Sequence, residues 1–150
     1  MSDISEEYLA RFPSKMRECL EIESEREYFS KTIRQEYDSI EVYRLVHNTD
    51  RVDENDFLDN VRDLKKRTGL DHRKSNKIGN HAVSVNEIKN EAIKSMKSFP
   101  NKDWKAVAVG KMLDEHGPAD FINGKTHHNW YLFEGANKDV FKLFSLVSYE

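Results

Sequence analysis

The chain has 150 residues, of which 34% are charged, 37% apolar and 11% aromatic. That length suits one domain able to bury about 70% of its unfolded surface without staples, and the aromatic content excludes a highly charged, poorly hydrophobic disordered polymer. The single cysteine, Cys19, excludes an internal disulfide, and no apolar run approaches the ~20 residues of a membrane-spanning helix. With no leader of the basic-then-apolar kind, the reading is a cytoplasmic protein with no membrane partner.

The net charge of −3 is unevenly laid out. Residues 1–64 carry 17 Asp/Glu against 9 Lys/Arg, a net of −8, whereas residues 65–111 carry 12 Lys/Arg against 4 acids, a net of +8. Such blocks mark either a basic surface for a polyanion or an acidic segment that packs on its own basic partner. A specific nucleic-acid surface would interleave exposed aromatics with the basic residues. Between Lys65 and Lys111 only Phe99 and Trp104 are aromatic, so nucleic acid is the weaker reading.

In chain order, a short helix is predicted over Ile4 to Phe12. A longer one is predicted over 14–38, with Met16, Leu20, Phe29, Ile33 and Tyr37 along a narrow stripe interrupted at Glu23 to Arg26. Ile40 to Val46, IEVYRLV, reads as an interior strand, with Val42, Arg44 and Val46 on one face. Arg44 then lies among apolar neighbours and must be paired, by an internal carboxylate or by a bound anion. A helix is predicted over 55–67 and a mobile loop over 68–80. A second helix is predicted over 87–98, opened by Ser84 and Glu87 at capping-box spacing. Strands follow at 104–109 and 120–122. The run from His127 to Val147 has two apolar segments around Gly135-Ala136-Asn137-Lys138-Asp139 and reads as a β-hairpin. Trp130, Phe133, Phe141 and Phe144 are its expected core residues.

This order gives a single domain of the α+β class: N-terminal helices (1–38) packed with a core (39–150) built on a small, mainly antiparallel, aromatic-rich sheet ending in a C-terminal hairpin. His127 and His128, adjacent on a strand, point to opposite faces. With no His-Glu-x-x-His, no cysteine pair and no acidic calcium loop, no metal site is expected.

An Arg on a first core strand, a Ser on a second short strand and a Glu after a third aromatic strand resembles the order in ADP-ribosyltransferases of the Arg-Ser-Glu type. Arg44, Ser84 and Glu134 stand in that order here. The resemblance implies NAD as cofactor, held by Arg44 with Arg73 and Lys74 of the 68–80 loop near its phosphates. It also implies Ser84 supporting the nicotinamide pocket and Glu134 stabilising the ribosyl cation. The residues by themselves point first to a non-enzymatic protein, monomeric or dimeric, whose 14–38 helix offers its stripe to a protein partner, with the NAD-consuming enzyme as the alternative.

Overall fold

A computed structural model describes residues 4–59, 61–62, 75–98 and 104–147. The N-terminal segment folds as three short helices. α1 (Glu6–Leu9) is capped by Ser5, whose hydroxyl accepts the Tyr8 N–H at 3.1 Å. α2 (Ser14–Cys19) follows Pro13 and buries Met16 and Cys19. α3 (Glu23–Thr32) buries Phe29 and runs directly into β1 (Ile33–Arg34). The continuous 14–38 helix is therefore corrected to two helices and a strand. The break falls where the apolar stripe lapses: Ile22 has extended backbone (φ −77°, ψ 116°), and Ile33 leaves the helix the same way. Turning there brings Phe29 against Phe12 at 5.8 Å and Tyr131 at 4.9 Å, which a straight helix would not do while also burying Met16, Cys19 and Leu20.

Among the described residues seven strands form one sheet in the order β1-β5-β6-β3-β2-β4-β7, every neighbouring pair antiparallel. β2 (Ile40–Val46) matches its sequence reading, and all seven of its residues pair with β4 (Ala106–Met112), from Ile40 opposite Met112 to Val46 opposite Ala106. On its other side β2 meets β3 (Val83–Asn86), which pairs in turn with β6 (His127–Trp130). β5 (Ala119–Asp120) joins β6 to β1. β7 (Phe144–Leu146) closes the far edge beside β4. The α+β class and the antiparallel sheet are thus present.

The C-terminal hairpin is not. β6 and β7 lie four places apart in the sheet, and the connection holds α5 (Asn137–Val140) and a 3₁₀ turn, Phe141–Leu143. The apolar run Tyr131-Leu132-Phe133 leaves the sheet and is buried whole, hydrogen-bonding to the turn at His116 and Pro118 instead of to a partner strand. Periodicity cannot separate such a run from a strand.

α4 (Lys89–Ser98) lies against β2, β3 and β4. It begins two residues later than predicted, because Ser84 belongs to β3 and the Asn86 side chain accepts the Ile88 N–H at 2.8 Å in place of the Ser84–Glu87 capping box. The 55–67 helix is also revised. Asp53 and Asp56 cap a 3₁₀ turn, Glu54–Phe57, and a new helical turn opens at Asp59, whose carboxylate accepts the Arg62 N–H at 2.8 Å. The remainder of that predicted helix, 63–67, lies outside the described residues. Gly117 is structurally required: it has φ +147°, and a Cβ there would meet the Tyr131 carbonyl oxygen at 2.0 Å.

One apolar core joins both halves of the chain. Leu9, Phe12, Met16, Cys19, Leu20 and Phe29 from the N-terminal helices pack with Val42, Val46, Phe57, Trp130 and Phe144 from the sheet and its connections. Trp130, Phe133 and Phe144 are buried as predicted, but Phe141 is only half-buried. Phe12→Ala should therefore cost about 3–5 kcal/mol and Phe141→Ala about half of that. Urea denaturation of the two variants checks this; equal losses would show that the core is misplaced.

Candidate functional site

Alternation along β2 turns Arg44 inward with Val42 and Val46, where it is 3% exposed. Its Nε donates to the Asp56 carbonyl and its Nη1 to the Ser84 carbonyl, each at 3.0 Å, and its guanidinium lies 4.9 Å over the Trp104 ring. Among the described residues two main-chain carbonyls receive Arg44, a kind of partner not foreseen beside the expected carboxylate or anion. Arg44 thus ties β2 to β3 and to the 53–57 turn. Asp56 holds that turn shut, accepting the His47 N–H at 2.8 Å and the Asp53 N–H at 2.9 Å. Burial pushes its carboxyl above the ordinary value, and the two N–H donors oppose that shift.

Ser84 reaches Arg44 through its carbonyl only. Asn86 pairs with Tyr43, so Ser84, two residues from Asn86, shares a sheet face with Tyr43, and Arg44 occupies the other face. Glu134 is exposed beyond the end of β6, 3.5 Å from the Arg62 guanidinium. Arg44, Ser84 and Glu134 therefore do not meet by their side chains. Arg73 and Lys74, with the loop up to residue 74, lie outside the described residues.

A different set of side chains converges at the β1 edge. After β1 the chain runs exposed through Gln35 and Glu36, then Tyr37 turns in. The Tyr37 N–H donates to Asp114 Oδ2 at 3.0 Å, and its hydroxyl donates to the Gly117 carbonyl at 2.8 Å, so both ends of the Asp114–His116 turn pin it. Phe121, just after β5, packs on Tyr37 at 5.1 Å, and the Arg34 guanidinium lies 4.8 Å over the Phe121 ring. Beneath Phe121, at 4.8 Å, is the buried His128 ring. Nδ1 of His128 stands 2.7 Å from the Asp120 carbonyl and Nε2 stands 2.6 Å from Glu87 Oε2, fixing the ring from both sides. The Asp120 carboxylate, also buried, accepts the Asn129 N–H at 2.8 Å and its side-chain amide at 3.0 Å.

Over this floor lies an open groove of about 530 Å³, lined by Arg34, Glu36, Tyr37, Asp38, Asp114 and Phe121 together with Ile40. A second hollow of about 310 Å³ is lined by Ile4, Ser30, Ile33, Gln35 and again Glu36. The floor is aromatic and held from below, and the rim is charged and exposed. Such a surface suits recognition: rings and charges stand in place before anything arrives.

Reading the sequence alone missed this groove. Tyr37 falls on a helical stripe in sequence, and Asp114 and Phe121 lie in unremarkable segments; the contact joins residues 77 apart in the chain, which no local pattern reports. The two adjacent histidines face opposite ways, as expected: His127 is exposed and His128 buried. No cluster of metal-ligand type occurs among the described residues. Burial pushes the Cys19 thiol up to about 11, with Glu25 reinforcing and Lys77 opposing, which keeps it protonated and unreactive at neutral pH. No helix among the described residues is long and apolar enough to cross a membrane. No protein family, curated protein or solved structure matches this chain, so the ADP-ribosyltransferase resemblance rests on its three residues alone.

This geometry has two measurable consequences. Lysine keeps the charge of Arg44 but not its fork, so Arg44→Lys should lose about 1.5–3 kcal/mol in chemical denaturation; an unchanged midpoint would remove Arg44 as a structural clamp. Burial pushes the Tyr8 hydroxyl up to about 12, with Arg11 opposing and Asp114 reinforcing, and pushes Tyr37 and Tyr131 higher still. Unfolded tyrosine ionises near pH ~10. A raised folded value means stability is intact below that pH and is lost as pH rises from about 10 through about 12. Thermal melts between pH 8 and 11.5 should show the fall; a flat melting temperature to pH 11.5 would contradict it.

Proposed function

We propose that this chain acts by binding a protein partner, without catalysis, through the groove at the β1 edge. The observation that supports this is the preformed floor of Tyr37 and Phe121, fixed by Asp114, Gly117 and His128, beneath a rim whose charges stay exposed. The docking surface foreseen on residues 14–38 moves accordingly. Met16, Cys19, Leu20 and Phe29 are buried in the domain's own core, which leaves only Ile22 and Tyr28 as large exposed apolar side chains in that stretch. We place the activity in the cytoplasm, which the lone buried thiol suits.

The NAD-consuming alternative requires Arg44 as an anion clamp, yet its fork is held by the Asp56 and Ser84 carbonyls, and Glu134 is set against Arg62. Releasing a buried guanidinium from such partners costs several kcal/mol, on the order of what a phosphate contact would return.

A photo-crosslinking residue at Gln35, tested in the cells that make this protein, should yield a discrete protein adduct that the same residue at Lys142, on the far side of the sheet order, does not. Equal labelling at both positions would defeat the proposal. So would release of nicotinamide from NAD by the purified chain that Glu134→Gln abolishes.

A further inference from the structure

We infer that the groove takes an extended, Lys- or Arg-bearing peptide segment of the partner protein, an inference that rests on the groove being the binding site. Its basic side chains would sit between the carboxylates of Glu36, Asp38 and Asp114 and the rings of Tyr37 and Phe121. Three observations carry this.

The first is charge. Three carboxylates and one guanidinium line the groove, so its formal balance is negative. A polyanion would meet like charge there, whereas a cation gains. The second is an internal example of the contact. Arg34 already lays its guanidinium 4.8 Å over Phe121, so this ring accepts a cation on its face, and the paired Tyr37 ring offers the same chemistry. The third is shape. The groove is open, about 530 Å³, and lined from within residues 34–40 together with Asp114 and Phe121 from remote segments, which suits a chain segment better than a compact cation. Among the described residues β1 ends the sheet and pairs only with β5, and an edge strand so placed suits main-chain hydrogen bonds from an extended segment.

The test uses the full chain and fluorescence anisotropy with two labelled dodecapeptides, one alternating Lys and Thr, the other alternating Glu and Thr. The Lys peptide should bind and the Glu peptide should not. Reversing both rim charges, Glu36→Lys with Asp38→Lys, should weaken the Lys peptide by about tenfold or more. The control reverses two exposed acids away from the groove, Glu91→Lys with Asp139→Lys, which changes net charge equally and should leave affinity within about twofold at physiological salt. Melting temperatures confirm that both double variants are folded. Equal weakening by both pairs would assign the effect to net charge and overturn the inference. Preference for the Glu peptide, or no binding of either peptide alongside a Gln35-specific crosslink, would overturn the peptide class while the groove remained a binding site. Loss of the crosslink as well would overturn both. Self-association of the free chain that the rim reversal abolishes would put a second copy, with its exposed Lys94 and Lys97, in the groove and overturn the separate-partner assignment.

Discussion

The aromatic chain that runs from Tyr8 through Phe12 to Phe29 and Tyr131, with Phe133 stacked beside it, is the contact on which the rest of the domain depends. Its rings meet at centroid distances of 4.9 to 5.8 Å, mostly edge to face, the arrangement that the charge distribution of an aromatic ring favours. Three of these rings come from the first 29 residues and two from the segment that leaves β6. The acidic N-terminal helices are therefore part of the core, with Leu9, Phe12, Met16, Cys19, Leu20 and Phe29 turned inward and most of their charged residues facing solvent. Short, polar helices of this kind are stabilised by tertiary packing far more than by their own propensity.

Arg44 does for the polar interior what the rings do for the apolar one. A guanidinium inside a sheet face is tolerated only when its donors are received, and here Asp56 and Ser84 offer carbonyls from two separate segments. The same bond pair gives the 53–57 turn its position over the sheet, and from that turn the Glu54 carbonyl accepts the Asn137 side chain at 3.1 Å, fixing α5. A buried charge thus links β2, β3, the turn and the C-terminal helix in one polar network. The resemblance to Arg-Ser-Glu enzymes and this structural duty draw on the same residue, and the duty accounts for why an Arg stands on a core strand.

The groove arises from the same packing constraint. Tyr37 and Phe121 are too large to expose fully and too far toward the edge to bury, so each ends half-covered, anchored by hydrogen bonds or by the ring beneath. His128 carries Phe121 from below and is itself fastened to β5 and to Glu87 between β3 and α4. Rings fixed in this way lose little freedom when something settles on them, the condition for recognition at modest cost in entropy.

The sequence by itself determined the elements whose signal is local. IEVYRLV is a strand over the residues read for it, because β-branched and aromatic side chains at period two fix a pleated, half-buried ribbon. The α+β class and the opposed directions of His127 and His128 come from the same alternation. What only the tertiary structure decided is how remote segments meet. Tyr131 to Phe133 carries the composition of a strand but is buried as an irregular run, since the space it fills is set by Phe12 and Phe29, about a hundred residues earlier. The receivers of Arg44, the separation of β6 from β7 and the meeting of Tyr37 with Asp114 and Phe121 have the same cause. Periodicity reports which way a side chain points within its own element, whereas partners across the sheet are chosen by the competition of all segments for one buried volume, a quantity that no stretch of sequence contains.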